Sequence, residues 1–169
     1  MSDPMFPALA VASVVFAFLI VEAVRAAQNE RAQRARGGIE PSGDVYRLMQ
    51  IAYPGSFLAM LFEGIVRDGP PRTAMLAGVG LFALAKALKW WAILSLGPSW
   101  TFRVIVVPGS PRVASGPYRW LRHPNYVAVA GEFVGSALMT GALVSGPVTL
   151  LVFGALLVKR MAVENRALL

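Results

Sequence analysis

The 169-residue sequence has no cysteine and a single histidine. Without cysteine there is no disulfide framework, no thiolate metal site and no cysteine nucleophile. No metal centre is expected. Charge is also scarce: 15% of residues are Asp, Glu, Lys or Arg, against about a quarter in soluble domains. Acids are the scarcer sign, with 9 Asp+Glu facing 16 Lys+Arg and a net charge of +7. What fills the space is apolar, at 56% of residues and a mean hydropathy of +0.59. Such a chain is too hydrophobic to be disordered. It is also a poor nucleic-acid binder, because its apolar mass would have to be buried elsewhere. The length accommodates one domain, or about five membrane-spanning helices with short connections.

The hydrophobic runs place those spans at about 5–24, 48–66, 73–96, 125–143 and 148–160, in one polytopic domain covering residues 1–169. The fold expected is therefore an all-α integral membrane bundle, its last two helices forming a hairpin. The first run begins Met-Ser-Asp-Pro rather than with a basic stretch, and it lacks a clear cleavage site. It reads as a retained helix rather than a secretory signal. Arg25 to Asp44 is the most polar stretch, a solvated helix followed by a Gly37-Gly38 stop and a Pro41-Ser42-Gly43 turn. Its arginines could also attract anionic headgroups. Lys86 and Lys89 lie in the third span, just before Trp90 and Trp91. Both lysines are expected to snorkel to the interface, the level that tryptophan favours. Gly78-Val79-Gly80 follows no strand and is no dinucleotide fingerprint. Glu132 is expected to pair with a lysine or arginine inside the bundle, and Gly131 and Gly135 to mark helix packing.

Twelve of the 16 basic residues fall in Arg25–Arg47, Gly97–His123 and Lys159–Leu169. By the positive-inside rule these segments face the cytoplasm and the amino terminus lies outside, the orientation expected in a bacterial cytoplasmic membrane. Gly97 to Leu121 is a connector long enough to be functional, with a β-prone piece at Thr101 to Val107. It runs into the densest group of polar side chains, Ser-Gly-Pro-Tyr-Arg-Trp-Leu-Arg-His-Pro-Asn-Tyr over residues 115–126. Pro124 can open a helix whose first N–H groups favour an anion. Arg122 and His123 add donors, and Tyr118 and Tyr126 add aromatic faces. In the tail, Arg160 and Glu164 lie four apart on one helical face. Alone they would be an ordinary ion pair. The intervening hairpin, however, returns the tail to the side of His123.

The Gly-Pro-Tyr-x-x-x-Arg-His-Pro-x-Tyr run, the apolar hairpin and the Arg-x-x-x-Glu tail resemble the isoprenylcysteine carboxyl methyltransferase family of membrane enzymes. The resemblance makes residues 97–169 the catalytic region and implies S-adenosylmethionine as cofactor. It implies that Tyr118, Arg122, His123, Pro124, Asn125, Tyr126 and Glu164 line the cofactor pocket, with Arg103 and Val113 as looser contacts. Arg160 falls where the family places a substrate-orienting arginine. The chain departs from the family in its Ser-Pro-Arg-Val run at 110–113, in Glu164-Asn165 where paired glutamates are common, and in ending at Leu169.

The activity so implied is methyl transfer to an oxygen of a lipophilic acceptor dissolved in the membrane. That acceptor would be alkylpyrone- or alkylresorcinol-like, as in compact bacterial relatives, or a prenylated carboxylate. Membrane lipid is the expected environment, and neither nucleic acid nor an obligate protein partner is expected. Phospholipid N-methylation shares the cofactor. Membrane sterol-type reductases using NADPH also carry Arg-His-Pro-Asn-Tyr, but they place a glutamate about three residues after the tyrosine. Here Val129 stands there, and the next acid is Glu132. A non-enzymatic scaffold would leave the Arg/His/Tyr cluster without a purpose.

Overall fold

Long apolar runs divided by Gly-Pro and polar turns become five helices in a computed structural model, which describes residues 5–67, 69–111 and 113–167. They are α1 (Met5–Ala35), α2 (Tyr46–Val66), α3 (Arg72–Leu96), α4 (Pro124–Thr140) and α5 (Ser145–Ala167). Four are long and apolar enough to cross a bilayer: α1 from Leu9, α2, α3 with the turn to Ser99, and α5. At 17 residues, α4 is only about 25 Å long at 1.5 Å per residue. The architecture is the all-α membrane bundle expected.

The helices alternate in direction, and contacts define two ends. At one end Glu63, near the close of α2, accepts the N–H groups of Val144 and Ser145 at 3.0 and 2.7 Å and the Ser145 hydroxyl at 2.7 Å. That carboxylate satisfies donors that a helix start leaves open. This explains why α5 begins at Ser145 rather than at 148. The other end gathers the close of α1, α3 and α5 with the start of α2 and α4. There α1 continues to Ala35 as a largely exposed helix, and α5 runs through Lys159 and Arg160 to Ala167. The β-prone piece of the connector forms a single antiparallel bridge, with Ile39 and Val106 exchanging N–H···O bonds of 2.9 Å.

Backbone contact fixes α3 against α4. A Cβ placed on Gly78 would fall 2.6 Å from Gly135 O, and one on Gly135 would fall 2.8 Å from Phe82 N. Small residues let the helices touch here, as Gly131 and Gly135 predicted. Gly78 is the partner that the sequence did not identify. Between α2, α4 and α5 the core is aromatic: Tyr53, Phe57, Phe133 and Phe153 sit with centroids 5.0 to 5.7 Å apart. Ile51, Phe62, Leu84 and Leu151 remain exposed, as a lipid-facing surface requires.

The two lysines of α3 do not snorkel. Lys86 and Lys89 are 6% and 2% exposed, and Glu22 and Glu132 are fully buried beside them. Lys86 Nζ lies 2.8 Å from a carboxylate oxygen of each glutamate, and Lys89 Nζ lies 2.7 Å from Glu22 and 3.3 Å from Glu132. The Tyr53 hydroxyl donates to Glu132 and accepts from Lys89 Nζ at 3.0 Å. Counter-charges on α1 and α4 meet the ammonium groups inside the bundle, so neither needs to reach the interface. The pairing expected for Glu132 is present, with two lysines instead of one.

Removing one member of such a network strands the others. Glu132→Ala is expected to destabilise the protein by about 3–5 kcal/mol. Lys89→Ala/Glu132→Ala should cost clearly less than the sum of the single changes. Thermal unfolding in a fixed detergent measures both, and additive losses would show that the four charges are not coupled.

Candidate active site

The site begins with a backbone constraint in the connector. Gly116 has φ +59 and lies so close to Ser95 and Trp91 of α3 that a Cβ would collide with the serine side chain. Pro117 follows, fully buried, and the Gly116–Arg119 stretch turns as a 3-10 helix. This lodges Tyr118 between connector and bundle. Burial pushes its phenol well above the ordinary value, and the nearby Glu164 carboxylate adds to the shift. Tyr118 is therefore a neutral hydrogen-bonding group, not a base.

Pro124 then starts α4, its ring setting the helical φ at a position that needs no N–H. The N–H groups of Tyr126 and Val127 turn back to His123 O at 3.1 and 3.4 Å. The helix start thus offers an incoming anion fewer donors than the sequence indicated. Instead, the turn stacks the His123 ring on Tyr126, with centroids 5.4 Å apart and planes 16° apart. Asn125 Oδ1 is buried and has no hydrogen-bond partner among the described residues. A buried acceptor left open in this way is costly.

From the tail, Glu164 reaches both aromatic rings. It accepts the Tyr126 hydroxyl, and its other oxygen lies 3.4 Å from His123 Nδ1. Arg160, one turn earlier and 5% exposed, donates from Nε to the Tyr126 hydroxyl at 3.0 Å and to Glu164 at 3.4 Å. Its Nη1 lies 3.5 Å from Asp44 Oδ1 and 3.8 Å from Met49 Sδ. Asp44 in turn accepts the Val104 N–H at 3.0 Å and the Tyr46 N–H at 3.2 Å. One buried carboxylate therefore ties the α1–α2 loop, the connector and the tail together around a single guanidinium.

The structure thus brings Tyr118, His123, Asn125, Tyr126, Arg160 and Glu164 together, on the buried Pro124. Of the other expected residues, one is engaged elsewhere and two are seen only by their burial. Arg103 binds Glu40 at 2.8 Å and Glu30 at 3.3 Å and covers the Tyr46 ring. Arg122 is exposed, and Val113 is half-buried in the connector. The Arg112 of the Ser-Pro-Arg-Val run lies outside the described residues. Sequence reading missed Asp44 and Met49. Both precede the recognisable motif by far, and the only signal was an acid closing a Pro-Ser-Gly turn on the basic side of the chain.

Comparisons with known proteins identify the family. Residues 78–169 match the isoprenylcysteine carboxyl methyltransferase (ICMT) family. An uncharacterized protein of Bacillus subtilis strain 168, YpbQ, is 30% identical over 159 residues, covering 92% of this chain and 95% of that one. An uncharacterized protein of Haemophilus influenzae is 24% identical over 142 residues, 83% of each chain. No solved structure matches. A match to this family together with four apolar helices long enough to cross a bilayer indicates a membrane methyltransferase. The chain belongs to the ICMT family. The family match begins at Gly78, so α1, α2 and Asp44 lie outside it.

Asp44→Ala would leave Arg160 with one carboxylate and two backbone N–H groups without an acceptor. A loss of about 3–5 kcal/mol in stability is expected, as for any broken buried pair. Arg160 should also become more reactive toward an arginine-selective dicarbonyl, read by peptide mass spectrometry. Unchanged melting and unchanged labelling would show that Asp44 does not hold Arg160.

Proposed function

We propose that the chain is an S-adenosylmethionine-dependent O-methyltransferase acting on a lipophilic acceptor at the membrane surface. The observation that carries this reading is the convergence of Tyr118, His123, Tyr126 and Glu164 from connector, α4 and tail, at a helix start that also carries a buried acceptor without a partner among the described residues, Asn125 Oδ1. These groups fit the cofactor. The amino and hydroxyl donors of an adenosyl group match the unpartnered Asn125 oxygen, the stacked rings offer flat apolar surface, and Glu164 offers a carboxylate to an ammonium. Tyr118, His123, Asn125, Tyr126 and Glu164 would hold it. When bound, S-adenosylmethionine supplies a methyl group already made electrophilic by its sulfonium.

The protein's own task is then to align an oxygen nucleophile and exclude water. Arg160 is the cation suited to an acceptor oxygen anion. Its Nε and Nη1 are engaged by Tyr126, Glu164 and Asp44, which fix the planar fork and leave Nη2 without a partner among the described residues. Both carboxylates around it are already engaged, and Tyr118 stays a neutral phenol. An acceptor that arrives ionised, such as a carboxylate or an acidic enol of an alkylpyrone, suits this site better than a weakly acidic alcohol. We place the site on the cytoplasmic side of a bacterial membrane, where the cofactor is found, in keeping with the asymmetry of basic residues.

Glu132 tells against the reductase alternative. It is fully buried and engaged by Lys86, Lys89 and Tyr53, so it is not available to a nicotinamide beside Tyr126.

Calorimetry of the purified protein should show binding of S-adenosylhomocysteine and none of NADPH. His123→Ala should weaken S-adenosylhomocysteine about tenfold, or about 1.4 kcal/mol. Arg160→Lys, which keeps the charge but loses the fork, should leave that affinity within about twofold. The same variant should lower turnover of an anionic lipophilic acceptor by at least about tenfold. NADPH binding without S-adenosylhomocysteine binding would overturn the proposal, and transfer to a phospholipid amine alone would change the acceptor class.

A further inference from the structure

A cleft of about 470 Å³ opens at the same end of the bundle as the candidate active site. The α1–α2 loop, the start of α2, the connector and the last turns of α5 form its walls. Asp44 belongs to both places: it lines this cleft and also touches Arg160, which does not line it. Three cations face the cleft, Arg47, Arg103 and Lys159, against two acids, Glu40 and Asp44.

Neither acid is free to neutralise the other cations. Asp44 is engaged by Arg160 and two backbone N–H groups. Glu40 is shared by Arg103 and Arg34, at 2.8 and 2.7 Å. Burial pushes the Glu40 carboxyl up, but the hydrogen bonds from the two arginines outweigh this and hold it below the usual range. Arg47 and Lys159 are exposed and make no hydrogen bond or ion pair among the described residues. Arg103 also lies 3.3 Å from Glu30, so the uncompensated charge that the cleft presents is that of Arg47 and Lys159.

Its lower edge is of the opposite character. Leu48 lines the cleft and is 58% exposed, and below it Ile51 on α2 and Val158, Val152 and Leu151 on α5 are exposed as well. A polar, cationic recess at the end of two spanning helices, continued by apolar strips along both, has the shape of one amphiphile. We propose that the cleft is a headgroup site for an anionic phospholipid, whose phosphate is held between Arg47, Lys159 and Arg103 and whose acyl chains follow the exposed strips of α2 and α5. Both strips belong to the lipid-facing surface, so a lipid lying along them carries its own headgroup to the cleft, which a soluble phosphate does not. Filling the cleft ties α2 to α5 beside the Asp44–Arg160 contact and neutralises Arg47 and Lys159. The site does not depend on the methyltransferase reading, and lipid binding tests it separately from turnover.

Native mass spectrometry of the full chain in neutral detergent, titrated with phosphatidylglycerol or phosphatidylcholine, measures this directly. The expected result is one phosphatidylglycerol retained in clear preference to phosphatidylcholine. Arg47→Gln/Lys159→Gln should weaken that binding about tenfold or more, from roughly one neutralised contact per cation. Arg31→Gln/Arg36→Gln removes the same charge from the exposed end of α1 and should change the affinity less than about twofold. Millimolar inorganic phosphate should not displace the lipid. An equal loss in both variants would show diffuse attraction, and no loss in the first would show that the cleft is not the site. Displacement by inorganic phosphate would show a soluble-anion site. Each of these three results overturns the proposal.

Discussion

Charges removed from water must find counter-charges or leave the bilayer, and the bundle depends on how Glu22, Glu132, Lys86 and Lys89 meet that constraint. Each ammonium lies within ion-pair distance of both glutamates. Tyr53 closes the network from α2. Four helices are thereby registered against one another at a single level. Dispersion and apolar burial cannot provide this in lipid, where one apolar surface is as good as another. The close approach of Gly78 and Gly135 then sets the spacing of α3 and α4. With register and spacing both fixed, the close of α3 and the start of α4 arrive together at one end, and the connector can fold between them.

The same constraint builds the candidate site, at a shallower level and with a different result. Arg160 is buried like the lysines, but its carboxylates come from a loop, Asp44, and from its own helix, Glu164. Geometry here is held by side chains of a loop and of the last turns of α5, so the pairs organise the connector and tail rather than the spans. Glu164 does most of this work, joining Tyr126, His123 and Arg160. A methyltransferase needs such an arrangement, since its main contribution is orientation at a dry boundary.

Much of this was legible in the chain. The number of helices, the α4–α5 hairpin and the return of Arg160 and Glu164 to His123 followed from hydropathy and spacing. Glycine pairs and a lone intramembrane acid announced packing and pairing. Long-range partners were not legible. Nothing local to Lys86 shows that Glu22, 64 residues earlier, will reach it, so snorkelling was the better expectation for a lysine near tryptophans. Arg103 sits in a connector aligned only loosely with the family, and its two glutamates come from the end of α1 and the loop beyond. Asp44 was equally hidden, because a single acid after a turn carries no sign of which arginine it will face. The start of α5 shifted because Glu63 caps it from another element, and α4 stops at Thr140 because Gly141 takes a left-handed φ of 72°.

Transfer of methyl groups to a lipid-soluble oxygen is the most direct test of the site. Membranes containing the protein, incubated with methyl-labelled S-adenosylmethionine and a bacterial lipid extract, should transfer label into organic-soluble product in an ether or ester linkage. Membranes carrying Glu164→Gln should lose most of that transfer. Label confined to water-soluble products, or transfer equal in the variant and the wild type, would contradict the account.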